Sequence, residues 1–96
     1  MAEYRLTPAA EMDLEDIWRY TAQTWSVQQA NEYTDILTTT FDELAAWPSR
    51  ARTCDEIRRG YRRISIEHHT AYLTVEPYGI AIVRILHKAM DTTRHL

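Results

Sequence analysis

The stretch that decides the fold is GIAIVRILH, residues 79–87. Apart from Arg84 and the terminal His87, its side chains are apolar at successive positions, which is typical of a strand covered on both faces inside a sheet. The chain becomes polar directly after His87, so the exit of a buried strand is a candidate site. Strict alternation assigns four side chains to one face of this strand: Ile80, Ile82, Arg84 and Leu86.

Two further strands are predicted before this one. Residues 61–67 and 70–76 alternate between apolar and polar side chains, and a turn is predicted at Glu67-His68-His69. Pro77-Tyr78-Gly79 is typical of a tight turn. Three consecutive strands with short connections predict an antiparallel meander.

Two helices are predicted upstream, after a short extended start at residues 4–6. Thr7 followed by Pro8 is a helix-initiation signal for a helix running to about Thr24. Ser26-Val-Gln-Gln29 has the form of a capping box, and Pro48 ends the second helix. The predicted buried stripes are Leu14, Ile17, Trp18, Thr21 and Trp25 on the first helix, and Ala30, Tyr33, Leu37, Phe41 and Leu44 on the second.

These elements predict a two-layer α+β fold forming one domain over residues 1–96. A short N-terminal strand precedes an antiparallel helix hairpin, which packs on the C-terminal three-strand meander. One hairpin covers one face of the sheet, so the second face lacks a cover within the chain.

Composition restricts the class of protein. The sequence has 45% apolar residues, 26% charged residues and a net charge of −3. No apolar run approaches the roughly 20 residues that span a bilayer, and the N-terminus lacks a signal-peptide pattern. We therefore expect a cytoplasmic protein without a membrane segment. The single cysteine, Cys54, excludes an internal disulfide and a site built on several thiolates.

Charge is divided unevenly along the chain. Residues 1–47 carry nine acidic and two basic residues, whereas residues 48–96 carry nine basic and five acidic ones. Either the basic half is a sheet whose edge is protected by arginine, or it is a face for an acidic partner.

Arginines supply the main candidate residues of the sheet. Arg58, Arg59, Arg62 and Arg63 lie at the entry to the first meander strand, where they protect an edge or bind phosphate or carboxylate groups. Arg84 lies within an apolar strand, where a charge is costly unless it is paired with an acid of the helices or faces a cleft. His68 and His69 point to opposite faces, so we expect no metal site there, and we expect no cofactor.

The chain resembles the RelE/ParE superfamily of small toxins over nearly its whole length. The resemblance to the ParE branch rests on YRLTPAA (residues 4–10), DLEDIWRY (13–20), GYRR (60–63) and RILHKAMD (84–91). It implies the toxin of a type II toxin–antitoxin pair, which acts on DNA gyrase and is neutralised by a ParD-like antitoxin. No cofactor, and no sequence-specific DNA contact by this chain, is implied.

RelE-like relatives are instead ribosome-dependent mRNA endoribonucleases. The residues of similar type are Arg63, Arg84, His87 and His95, but no aromatic residue follows Tyr78 to stack on a base. A non-enzymatic gyrase inhibitor is therefore expected, with the metal-independent ribonuclease as the alternative.

Partner and target contacts are both expected on the C-terminal half of the chain. An antitoxin segment, expected to be acidic, would cover the second face of the sheet. Contacts with the target or the partner are expected from the arginines at 58, 59, 62, 63 and 84 and from the exit of the last strand, where deleting residues 92–96 should abolish toxicity at little cost in stability. The candidates at that exit are His87, Lys88, Met90, Asp91, which could pair with Arg84 or Arg94, then Arg94 itself and His95.

Overall fold

The computed structural model describes residues 2–90 and 92–96. None of the helices in these ranges is long and apolar enough to cross a membrane. The elements in chain order are β1 (Glu3–Leu6), α1 (Pro8–Thr24), α2 (Val27–Ala46), a 3₁₀ turn (Pro48–Arg50), β2 (Arg52–Thr53), β3 (Tyr61–Ile66), β4 (His69–Glu76), β5 (Gly79–His87) and α3 (Thr92–His95).

The predicted helix hairpin is confirmed, and its caps are those that the sequence indicates. The hydroxyl of Thr7 accepts a hydrogen bond from the Ala10 N–H at 3.1 Å, and Pro8 opens α1. The hydroxyl of Ser26 accepts from the Gln29 N–H at 3.0 Å, so α2 begins almost at once. These bonds satisfy N–H groups that helix ends otherwise leave unpaired.

The sheet has five strands in the order β1-β5-β4-β3-β2. The predicted antiparallel meander of β3, β4 and β5 is confirmed. The N-terminal strand β1 pairs in parallel with β5, the last strand of the chain, from Glu3 opposite Gly79 to Leu6 opposite Ile82. The two-residue strand β2, which the sequence analysis missed, pairs with β3 at the other edge.

The main core lies between the helix hairpin and one face of the sheet. Phe41 of α2 is fully buried and meets the Tyr4 ring of β1 in an edge-to-face contact with centroids 5.5 Å apart. The most deeply buried large apolar side chains of this core are Leu37, Phe41 and Leu44 of α2, Leu73 of β4, and Ile80 and Ile82 of β5.

A β-bulge corrects the predicted faces of β5. Leu73 lies opposite Ile82, but Tyr72 lies opposite Arg84, so Val83 is an extra residue in the ladder. An extra residue reverses the alternation beyond it. Ile85 therefore joins the main core, and the prediction that Leu86 shares a face with Ile82 is wrong.

Two tryptophans of the predicted α1 stripe lie outside the core. Ile17 is buried as predicted, but the Trp18 side chain is 36% exposed and that of Trp25 is 68% exposed. The indole N–H of Trp18 donates to the Asn31 side chain of α2 at 2.9 Å, so Trp18 lies at the outer seam of the hairpin.

The second face of the sheet is less apolar than the sequence analysis expected. Thr70, Thr74 and Glu76 of β4 share that face with Tyr72, by alternation along the strand. Its apolar part is a small cluster that the chain itself covers in part, so this face offers an antitoxin less apolar surface than expected. The cluster consists of Cys54, Tyr72 and Leu86, with Ile57, Tyr61 and Leu96 against it.

Candidate protein-binding groove and basic edge

A groove of about 730 Å³ opens between the helix hairpin and the far ends of β4 and β5. Its rim carries exposed apolar side chains, including Tyr20 and Trp25 of α1 and Ile36 of α2. Met90 lies on its strand side and is 47% exposed. We call this feature the hairpin groove; contiguous exposed apolar side chains of this kind are typical of protein-binding surfaces.

The floor of the hairpin groove is a group of imidazoles held by one tyrosine. His69 of β4 lies directly opposite His87 of β5, with ring centroids 5.3 Å apart. The hydroxyl oxygen of Tyr33 lies 2.6 Å from His69 Nδ1 and accepts a hydrogen bond from the His68 backbone N–H at 3.2 Å. Tyr33 also stacks on the His68 ring. A residue of α2 therefore fixes both histidines of the β3–β4 turn.

The surroundings of His69 disfavour its charged form. Burial, together with the neighbouring His87 and His68, lowers the pKa of His69 to about 4, although Asp13 has a smaller opposite effect. Desolvation and like charge both oppose protonation of an imidazole. His69 is therefore neutral in the folded protein near neutral pH.

The lowered pKa of His69 predicts a pH-dependent stability. An unfolded histidine has a pKa of about 6.5, so between this value and about 4 the unfolded chain binds a proton that the folded chain does not. The free energy of unfolding should fall as the pH drops through this window, by on the order of 1–2 kcal/mol because the ring is only half-buried. Urea unfolding at several pH values would measure it.

The matched control for this prediction is His69→Gln, which cannot titrate at that position. All carboxylates, His68 and His87 remain in both chains, so their contributions cancel in the comparison. Equal pH slopes for the parent and His69→Gln would contradict the prediction.

Arg84 lies beside the groove and has an internal partner, one of the two alternatives that the sequence left open. Its Nε and Nη2 atoms donate to the two carboxylate oxygens of Asp13 at 2.7 and 2.9 Å. Asp13 also accepts from the Ile85 backbone N–H at 2.9 Å, and Arg84 Nη1 donates to the His95 carbonyl at 3.0 Å. This pair joins α1, β5 and α3 just beyond the point where β1 ends. Arg84 therefore helps to position α1 and α3 against β5.

The strand exit is divided between two surfaces. His87 and Met90 line the hairpin groove, and Lys88 is exposed beside them. Arg94 and His95 are exposed on α3. Asp91, with its suggested pairing to Arg84 or Arg94, lies outside the described residues.

The C-terminal residues also have a structural role that the sequence analysis did not assign to them. Leu96 packs against the Tyr72 and Leu86 cluster, and the carbonyl of His95 accepts from Arg84. Deleting residues 92–96 would remove both contacts. We therefore expect this deletion to lower the stability of the fold, in contrast to the expectation from the sequence.

Arginines at the β2–β3 end form a second region, which we call the basic edge: Arg52, Arg58, Arg59 and Arg63. Arg63 lies directly opposite Arg52, and the Arg58 guanidinium lies 5.8 Å from the centre of the Tyr61 ring. Among the described residues, no acidic side chain forms an ion pair with these four. Arg62 is excluded from the basic edge because its side chain donates to the Ala51 carbonyl at 2.8 Å.

The structure thus places predicted site residues in the groove, at the Arg84 pair and on the basic edge, and it leaves Arg62, Lys88 and Arg94 outside all three. Sequence reasoning missed Tyr33 and His69 as site residues, and it missed the aromatic rim formed by Tyr20 and Trp25. The sequence feature that could have indicated this rim was Tyr20, an aromatic residue outside the predicted apolar stripe of α1.

In the ranges 2–90 and 92–96, no three His, Cys, Asp or Glu side chains are arranged to hold a metal ion. The groove offers apolar contact through its aromatic rim and hydrogen bonding through its histidines.

Comparisons with known proteins agree over nearly the whole chain. A family described as ParE toxin of type II toxin-antitoxin system, parDE, matches residues 4–92. Toxin ParE1 of Mycobacterium tuberculosis is 45% identical over 99% of this chain and 98% of its own length. Toxin ParE1 of Caulobacter vibrioides is 36% identical, covering 100% of this chain and 99% of its own length.

A solved structure has the same fold. It is titled chromosomal ParDE TA system from P. aeruginosa, and its chain matches with a TM-score of 0.77 over 91% of this chain and 96% of that one. The two sequences are 19% identical, so this likeness concerns the fold alone.

Proposed function

The chain belongs to the ParE toxin family of type II toxin–antitoxin systems, and from this premise we propose that it inhibits DNA gyrase in the cytoplasm and is neutralised by a ParD-like antitoxin. The observation that carries the proposal is the match to the ParE family over residues 4–92. The resemblance noted in the sequence implies gyrase as the target.

We assign the antitoxin to the hairpin groove. The groove has a volume of about 730 Å³, and its rim exposes Trp25, Tyr20 and Ile36. An amphipathic segment laid along such a groove buries these side chains. The carboxylates of Asp16, Glu32 and Glu67 also line it. They favour a segment that carries Lys or Arg beside its apolar residues, in place of the acidic segment expected from the sequence.

We assign contacts with gyrase, or with the DNA that gyrase holds, to the basic edge. Like charges directly opposite each other in neighbouring strands are destabilising. Arg52 and Arg63 have this arrangement without an acidic partner among the described residues. An anionic surface would relieve their repulsion, so the arrangement fits a phosphate backbone or an acidic protein surface.

Inhibition is proposed to require no chemistry by this chain. The residues considered for a ribonuclease have different surroundings: Arg84 is paired with Asp13, Arg63 belongs to the basic edge and His87 lies in the groove. The carboxylates around His87 would repel an RNA backbone. These features support the gyrase reading over the ribonuclease alternative.

The test is a supercoiling assay with purified gyrase, relaxed plasmid and ATP. The chain should inhibit supercoiling and accumulate cleaved DNA, and an equimolar amount of a cognate ParD-like antitoxin should restore activity. Replacing Arg58 and Arg59 together with alanine should weaken inhibition at least about tenfold. Supercoiling unaffected by the parent chain, with ribosome-dependent mRNA cleavage instead, would refute the proposal.

The matched control is Arg50→Ala. Arg50 is also an exposed arginine near β2, but it is paired with Glu43 at 3.3 Å. This variant should inhibit gyrase as the parent does. Equal losses in the control and in the Arg58, Arg59 double variant would remove the basic edge as the target surface.

A further inference from the structure

A hydrogen bond to the His87 ring determines which tautomer the neutral ring adopts. The backbone N–H of Ala89 donates to His87 Nδ1 at 3.1 Å. A backbone N–H is always a donor, so Nδ1 must be the unprotonated nitrogen. In neutral His87 the proton therefore lies on Nε2, which is a donor.

Tyr33 favours the same state in His69. Its hydroxyl oxygen already accepts from the His68 N–H and lies 2.6 Å from His69 Nδ1, an arrangement that favours donation of the hydroxyl proton to Nδ1. With Nδ1 as the acceptor, His69 also carries its proton on Nε2. No described residue accepts a hydrogen bond from Nε2 of either ring.

The two rings are neighbours on the groove floor. His69 and His87 lie opposite each other across β4 and β5, with centroids 5.3 Å apart, and both line the hairpin groove. We propose that the Nε2–H groups of His69 and His87 form a paired donor site that binds an amide oxygen of the antitoxin segment. This inference rests on the proposed function, since it names the polar contact made by the segment that fills the groove.

The charges around the rings favour an uncharged oxygen. Asp13 is satisfied by Arg84 and the Ile85 N–H, and Asp16 is paired with Arg19. Glu32 accepts a hydrogen bond from the amide of Gln28, and Glu67 lies in the β3–β4 turn beside His68. A carboxylate from the partner would enter beside these negative charges. A backbone carbonyl, or an Asn or Gln side chain, accepts the two hydrogen bonds without that repulsion.

The test uses two substitutions at each histidine, one that keeps an acceptor near the Nδ1 position and one that keeps a donor near the Nε2 position. His87→Asn places an oxygen near the Nδ1 position, where it can still accept from Ala89, but it has no donor at the Nε2 position. His87→Gln places an amide near the Nε2 position and loses the Nδ1 acceptor. Antitoxin affinity, measured by calorimetry at pH 7.5, should fall about five- to tenfold for Asn and stay within about twofold for Gln. His69→Asn and His69→Gln should show the same order.

The affinities of the variants distinguish the proposed donor role of the two imidazoles from a supporting role. Affinity lost in the Gln variants and kept in the Asn variants would show that the rings act only by supporting Ala89 and Tyr33, and would overturn the inference. Trp25→Ala, on the rim, separates the two proposals: if it weakens binding while all four histidine variants bind normally, the inference fails and the groove assignment stands. If the parent chain does not bind the antitoxin, the proposed function fails first.

The tautomers can be read without a partner. Long-range ¹H–¹⁵N spectra of the free chain at pH 7.5 should show Nε2–H imidazoles for His69 and His87, each with an unprotonated Nδ1. A proton on Nδ1 of either ring would overturn the inference independently of any binding measurement.

Discussion

Gly79→Ala is expected to destabilise the fold by about 3 kcal/mol or more. Gly79 has a φ of +141°, a conformation that other residues rarely adopt. A Cβ at this position would collide with the backbone carbonyl oxygen of Glu3 and lie 2.8 Å from the Glu3 nitrogen. Since both obstacles are backbone atoms of β1, the substitution can be accommodated only if β1 moves away from β5. Denaturant unfolding followed by circular dichroism would measure the loss.

Gly60→Ala is the matched control for Gly79. Gly60 also has a positive φ, +85°, but an added Cβ would meet no atom within 4 Å. Only backbone strain remains, so we expect a cost of about 1 kcal/mol. Equal effects of the two substitutions would show that the β1–β5 contact is not what excludes a side chain at Gly79. Hydrogen exchange should also increase at β1 amides in Gly79→Ala alone.

Asp13→Ala is expected to cost about 3 kcal/mol. The substitution leaves Arg84, which is 24% exposed, without its bidentate partner, and it leaves the Ile85 N–H without an acceptor. Loss of one member of a half-buried, hydrogen-bonded pair costs more than loss of a surface pair, because the remaining charge is poorly solvated. Thermal and urea unfolding of the variant would give the value.

Asp16→Ala is the control on the same helix. Asp16 pairs with Arg19 at 3.1 Å, and both side chains are at least 60% exposed. Such pairs contribute little, so a change below about 0.5 kcal/mol is expected. A cost for Asp13→Ala as small as that for Asp16→Ala would contradict the structural role of the Arg84 pair. A double-mutant cycle with Arg84→Ala would separate the pair from the Ile85 contact.

The sequence predicted the local structure well because local signals determine it. Thr7 and Ser26 mark helix starts through hydrogen bonds to residues three positions away, and Pro48 ends α2 by restricting the backbone of the residue before it. The bulge at Val83 could not be predicted, since an apolar residue fits either face and only the pairing with β4 reveals the extra position. Trp25 fits the apolar stripe of α1 by its spacing, yet it is exposed because no described strand lies beneath it, and helical periodicity does not reveal this.

The candidate site was harder to predict because its parts are distant in sequence. Asp13 and Arg84 are 71 positions apart, so the residues left the pairing open between an acid of the helices and a cleft. Tyr33 and His69 are 36 positions apart, and each suits an ordinary core or turn. Only the packing of α2 against the strand ends brings them together. The family resemblance indicated the class of protein, whereas the groove depends on tertiary packing that the sequence does not reveal.

The parallel pairing of β1 with β5 has a consequence for synthesis of the protein. Thr7, which follows β1, donates its hydroxyl hydrogen bond to the carbonyl of Val83, 76 positions later in the chain. Contacts between such distant segments form late in folding, because the intervening chain must first be ordered. During translation, the N-terminal strand leaves the ribosome long before its partner is made. The helix hairpin can form early, but the sheet that completes the groove floor and positions Arg84 closes only when β5 has emerged. A nascent or prematurely terminated chain without β5 would therefore lack the finished surfaces, and the cell would meet a competent toxin only after β5 has been synthesised.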